Sequence, residues 1–321
     1  MFAVRGIAVS FSIFVILYGV LSAAVCAVWR RMWLRGQQFP VKRCADLLFA
    51  LRMAPFVVAS GVTLVLAVPS FLLLEPRAGN EPVGGTPVVL GLCGVLVTLA
   101  GTWKAAAAWL QTSRAIARWS SEARVIGASP IDSRDSVSVL RSSAVVAPLT
   151  AAGILRPSVW LSGAAEFLLT ERELQTALRH EVVHIRRRDN LRKLVLRLVA
   201  FPGMTELESA WREATEMAAD DAAVSSASEA LDLAAAVIKL SRLTALDPPA
   251  ELTTTLVHSP AESVNARVER LIAWTERRQS VAPGHSLAYT LSAAAALVVT
   301  LAVTYSELLV RVHAATEWLV R

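Results

Sequence analysis

The sequence predicts a mainly α-helical membrane protein in which four transmembrane helices carry an α+β domain inserted between the third and the fourth. Three observations predict it. Apolar residues make up 55% of the 321 residues and charged residues 18%, less charge than a soluble domain of this size carries. The apolar residues gather into four stretches of about 20 residues, the length that crosses a bilayer. Between the third and fourth stretches, segments with helix and strand patterning alternate with turns marked by Pro and Gly. The chain divides into a membrane region at 1–110, an inserted domain at 111–284, and a last span with a short tail at 285–321.

The first span runs from about Ile7 to Trp29 and is stopped by Arg30 and Arg31. No cleavage site precedes these arginines and the stretch is long for a signal-peptide core, so the helix reads as retained. The second, about Ala54 to Leu74, contains Pro55 and Pro69, which bundled membrane helices tolerate. The third, about Thr86 to Leu110, has Lys104 near one end, where its head can snorkel to the interface. The fourth, about Leu287 to Leu309, is alanine-rich and follows the break at Pro283-Gly284.

Charge sets the expected orientation. Arg30, Arg31, Arg35, Lys42, Arg43 and Arg52 lie between spans one and two, whereas the next connector holds Arg77 with Glu75 and Glu81. The positive-inside rule puts the first connector in the cytoplasm. The N-terminus, the Glu75–Gly85 loop and the C-terminal tail are then outside, and 111–284 is cytoplasmic. Arg114, Arg118 and Arg124 agree. The net charge of +6 reads as topology and attraction to anionic lipid. The bilayer is the expected partner, and nothing argues for direct contact with nucleic acid. Cys26 and Cys93 lie within spans and Cys44 on the cytoplasmic side; no disulfide is expected.

In the inserted domain, Thr112 to Leu140 reads as amphipathic and turn-rich, with Gly127-Ala128-Ser129-Pro130. Ser142 to Leu161 fits a short hairpin or two edge strands, and the apolar run Ile154–Leu161 a strand lining a cleft. An unpaired edge there could take an extended peptide by strand addition, with ordinary packing an equal alternative. A helix is expected from Glu171 to about Arg188, opened by the capping-box pair Thr170 and Glu173. Arg186, Arg187 and Arg188 suit its C-terminal end, and one of them could pair with Asp189. Leu191 to Ala200 forms a second helix, suited to a membrane surface or to packing against the spans, and Phe201-Pro202-Gly203 ends it. Glu206 to Ser228 forms a third.

The chemistry lies in His180-Glu181-Val182-Val183-His184. Positions i and i+4 share a helix face, so two imidazoles are offered to one zinc ion. Glu181 can take a proton from an activated water, which is the work of a metallopeptidase base. Glu216 is the expected third ligand, with Glu213 its nearest competitor; a carboxylate beside two histidines leaves a fourth position open. Asp220, four residues on, can accept a hydrogen bond from a ligand imidazole. A lone Glu-x-x-x-Asp would more often be a solvated helix face; the motif at 180 favours the ligand reading. His258 and Arg267 are candidates to stabilise charge on a substrate carbonyl. His285 and His313 lie at or beyond the membrane edge.

The run from Ala177 to Asn190 resembles the zinc helix of the β-lactam-sensing antirepressor peptidases of bacteria. Glu216–Ala222 resembles that family's second zinc segment, and Gly153–Leu161 is similar to the strand before its zinc helix. The layout of three spans, a cytoplasmic zinc domain and a fourth span matches as well, over roughly residues 1–310. The resemblance implies zinc on His180, His184 and Glu216, Glu181 as general base, and a multi-pass protein of the bacterial inner membrane. It implies limited cleavage of a cytoplasmic protein, a transcriptional repressor, in a signalling role. The family carries a penicillin-binding domain after its fourth span, whereas this sequence ends at Arg321. A separate sensor protein or a homo-oligomer is therefore the further partner to expect. Two alternatives stand beside this reading: a membrane-protein quality-control protease, and a non-catalytic zinc-stabilised scaffold. A transporter is disfavoured by the shortage of ionisable residues in the spans.

Overall fold

The protein is described here from a computed structural model covering residues 2–36, 40–76, 84–121, 123–129, 137–143, 147–199, 201–243, 251–256, 261–274, 300 and 303–317. It is mainly helical with a small mixed sheet. Among the described residues, three helices are long and apolar enough to cross a membrane: Phe2–Arg31, Val41–Leu74 and Gly85–Ser121. The first belongs to α1 (Phe2–Gly36). The second comprises α2 (Val41–Val62), a π-helical turn (Thr63–Ala67) and α3 (Val68–Leu74), and the third is α4 (Gly85–Ser121). Their outward faces carry exposed Leu64, Leu73, Leu92, Leu99 and Trp103. Water would penalise such a surface, and lipid solvates it.

The helices exceed the expected spans for identifiable reasons. The second begins at Val41 rather than Ala54, because one face of its first turns is covered by protein while Lys42 and Arg43 stay exposed. Ala45 and Leu48 pack with Trp29 of α1 against Leu207, Trp211 and Ala214. The third continues through the segment expected to be turn-rich. Ala108, Thr112, Ala115 and Trp119 form one buried stripe at helical spacing, and Trp119 meets Trp160 at 5.6 Å between ring centroids. α4 crosses α1 closely, since a Cβ at Gly94 would lie 2.6 Å from the Phe11 carbonyl oxygen.

The expected fourth span is described only at its end. Residues 275–299, 301 and 302 lie outside the described residues, and 303–317 forms a helix, α11. Pro69 has no N–H to offer the carbonyl of Val65 four residues back. The Tyr305 hydroxyl of α11 donates to that carbonyl at 2.9 Å, and Ser70 Oγ donates to Leu309 O at 3.1 Å.

The sheet has five strands: β1 (Arg124–Ser129), β2 (Val137–Arg141), β3 (Leu149–Ala152), β4 (Ser158–Leu161) and β5 (Thr253–Thr255). Their spatial order is β1-β2-β4-β3-β5. The β2–β4 pair is parallel and the others antiparallel. Gly153, at φ 99°, and Pro157 confine the run 154–161 to a turn and a four-residue strand. β3 is not an open edge: Ala151 pairs with Val159 on one side and Thr254 on the other. Alternation sorts the side chains of β4. Val159 and Leu161 face the main core and Trp160 faces α4.

Helices α5 (Gly163–Leu168), α6 (Glu171–Arg187), α7 (Asp189–Leu198), α8 (Thr205–Ala223), α9 (Ala227–Ser241) and α10 (Ala261–Ile272) complete the domain. Thr170 and Glu173 form the reciprocal capping box of α6. α8 stops at Ala223 rather than Ser228, because Ser226 caps α9 by accepting from the Glu229 N–H at 3.3 Å. Leu233, Val237 and Leu240 of α9 join Leu149, Val159, Leu161 and Val182 in the domain core.

Candidate metal centre

α6 places His180 and His184 one turn apart, both fully buried, with their Nε2 atoms 3.1 Å apart. α8 crosses α6 and brings Glu216 to them: Oε2 lies 3.5 Å from His180 Nε2 and Oε1 3.6 Å from His184 Nε2. These three side chains could hold a metal ion. Bonds of about 2.0–2.1 Å in a tetrahedral set would place ligand atoms roughly 3.4 Å apart, so the spacing suits a small four-coordinate cation. The chemistry agrees. With each Nδ1 turned to a carboxylate, the two Nε2 lone pairs face one another and call for a positive charge between them.

Each imidazole is backed by an acid. Asp220 Oδ1 lies 3.0 Å from His180 Nδ1, and His184 Nδ1 donates to Asp189 Oδ2 at 2.8 Å. Asp220 is gripped by Arg267 of α10, whose Nε and Nη2 donate at 2.8 and 2.7 Å. Arg267 Nη1 donates to Leu256 O at 2.8 Å and lies 3.2 Å from Glu216 Oε2. One buried arginine thus orients both a candidate ligand and the acid behind another.

The electrostatics read as a cation site. Burial would push the imidazoles down. For His184, Glu216 and Asp189 outweigh burial and push it up to about 10. For His180, Asp220 and Glu216 do the same. Burial would raise Glu216, but His184, His180 and Arg267 hold it well below the usual carboxylate range. Asp220 is likewise held at about 2 by Arg267 and His180 against its burial.

Glu181 is wholly buried. Its Oε2 accepts from the Ala151 N–H at 3.1 Å and from the Thr254 hydroxyl at 3.3 Å. Its Oε1 has no hydrogen-bond partner among the described residues. Burial raises its pKa to about 7, the neighbouring imidazoles opposing. β5 is clasped by Lys193 of α7, whose Nζ donates to Thr253 O at 2.5 Å, and burial lowers that amine. Asn190 Nδ2 donates to Ala151 O at 3.1 Å, tying α7 to β3.

The structure therefore brings His180, Glu181, His184, Glu216 and Asp220 together. His258 lies outside the described residues. Arg267 is present but behind the ligands, because its guanidinium is spent on Asp220, Glu216 and Leu256. Glu213 is not part of the ligand group. Sequence reasoning missed the roles of Asp189, Lys193, Asn190 and Thr254. Asp189, five residues after His184, could have been found: a single left-handed residue, Arg188 at φ 55°, turns it back. The rest depend on strands distant in sequence.

A second group, Glu75, His313 and Glu317, sits at the other end of the bundle. Its His313 Nε2 stands 3.9 Å from Glu75 Oε2 and 3.8 Å from Glu317 Oε1. Arg5 Nη1, 2.9 Å from Glu75 Oε1, already supplies the positive charge, and the group is an ion-pair cluster joining α1, α3 and α11. In comparisons with known proteins, no family model matches the chain and no curated protein matches it.

Proposed function

We propose that this chain is an integral-membrane zinc endopeptidase that makes limited cleavages in a cytoplasmic protein. The observation that carries the reading is Glu181: a buried carboxylate with one oxygen anchored and the other free, beside a two-histidine, one-glutamate group. A purely structural metal site has no need of such a residue. His180, His184 and Glu216 would hold the ion, and zinc there supplies a Lewis acid and lowers the pKa of a water. Glu181 Oε1 takes a proton from the attacking water and returns it to the leaving amine as the peptide C–N bond breaks. Ala151 and Thr254 hold the carboxylate in register through both transfers. Asp220 and Asp189 keep each Nδ1 protonated, leaving both Nε2 lone pairs for the ion.

Two observations favour a cytoplasmic site. The positive-inside rule puts the first connector in the cytoplasm. Arg30, at that end of α1, lies 2.5 Å from Glu206 of α8, the helix that carries Glu216. The resemblance to antirepressor peptidases points to a repressor as substrate and to a signalling role. The test compares new protein N-termini in cells carrying wild type or Glu181→Gln. One or a few cytoplasmic cleavages lost in the variant is the expected result. Many lost cleavages in membrane proteins would replace regulation by quality control. No difference between two well-expressed proteins would sink the peptidase reading.

A further inference from the structure

We propose that Arg52, a cation of the membrane bundle, is a positioning residue for the metal centre, acting through α7 on the Asp189–His184 pair. The inference rests on the His180–His184–Glu216 group being a metal site. Arg52 is 3% exposed, and no carboxylate pairs with it among the described residues. A buried, unpaired guanidinium is costly and requires a compensating group. Among the described residues its hydrogen bond goes to the end of α7, beside the Tyr18 side chain: Arg52 Nη2 donates to Val199 O, and Val199 is the C-cap of that helix. The last carbonyls of a helix lack internal partners and carry the negative end of its dipole. A cation from a neighbouring helix meets both needs.

α7 is about 15 Å long, and its two ends do different work. At its start, Asp189 holds His184 and Asn190 holds β3. A single left-handed residue joins it to α6, which leaves no slack between the helix and the histidine. Its far end is seated in the bundle. Val199 packs with Phe14, Tyr18 and Ala59, and a Cβ at Gly101 of α4 would collide with Leu198 O. The bundle therefore sets where α7 stops, and α7 sets where Asp189 stands. Loss of the Arg52 cap leaves the buried Val199 carbonyl without that donor, and the helix must shift or fray to find one.

The test measures zinc affinity of the full chain in lipid nanodiscs, by competition with a chromophoric chelator. Arg52→Leu should weaken zinc about tenfold, the low end of what groups behind metal ligands contribute. Arg52→Lys, which can still donate to Val199 O, should restore most of it. Arg52→Leu combined with Asp189→Ala should bind no more weakly than Asp189→Ala alone, because both act through one contact. Arg30→Ala, which removes an exposed pair, should change nothing. Wild-type affinity in a folded Arg52→Leu protein would overturn the proposal, as would losses that add in the double variant. Should Arg52→Leu fail to fold, Gly101→Ala presses on the same helix end without a charge change, and an unaltered affinity there overturns the proposal alone. Zinc binding with these dependences but no cleavage would count against the peptidase reading and leave this one standing.

Discussion

At Glu181 a division of labour between two oxygens predicts a separable defect. Glu181→Gln keeps the ligand set and the contacts of Oε2, so zinc content should stay at wild-type level while cleavage falls by at least about a hundredfold. Asp220→Ala and Asp189→Ala should do the converse, weakening zinc by about 10- to 100-fold and restoring cleavage when zinc is in excess. The raised imidazoles give a pH signature. His184, pushed up to about 10 in the metal-free site, holds a proton at neutral pH that the ion must expel. Apparent zinc affinity should therefore rise with pH until that group is deprotonated. Calorimetry in buffers of differing ionisation enthalpy should show at least one proton released; a buffer-independent heat would refute it. The five residues that the structure gathers were legible because the i,i+4 spacing of a helix encodes a shared face. Arg267 was legible as a candidate but not in its role, since nothing in its neighbourhood announces Asp220 as its partner.

Among the elements, those whose ends carry local chemistry were the readable ones. α6 begins at Thr170 because hydroxyl and carboxylate satisfy each other's backbone donors, and Thr170→Ala should cost about 1 kcal/mol, read as a lower thermal midpoint. α9 carries a comparable local signal, Ser226 with Glu229, and the same two residues explain why α8 stops short. The apolar run of α4 ends near Leu110, although Ala108, Thr112, Ala115 and Trp119 mark one face that continues past it. β5 offered no such sign. Three threonines become a strand only because β3 presents an edge to them and Lys193 holds Thr253; its pairing is a tertiary fact.

The molecule as a whole does not separate at the membrane surface. Trp29, Ala45 and Leu48 of the bundle share a core with Leu196, Leu207 and Trp211 of the domain. A fragment holding the domain without α1 and α2 would expose that face to water. Such a fragment should aggregate on size-exclusion chromatography and hold less than stoichiometric zinc, whereas the full chain in detergent should not. The first three spans were readable from hydropathy because lipid demands apolar length. The shared core was not, since its residues fall on both sides of the boundary that hydropathy draws.

One helix has a mechanical consequence. α4 runs unbroken for 37 residues from the bundle to Trp160 in the middle of the sheet, a rod about 55 Å long. Tilting such a rod by about 5° at one end sweeps the other by roughly 5 Å, more than the width of the gap between the candidate ligands. Bilayer thickness is among the forces that tilt a membrane helix. Proteolysis assayed in thin and in thick vesicles should then proceed at different speeds, the lipid acting on the sheet as a hand acts on the long arm of a lever.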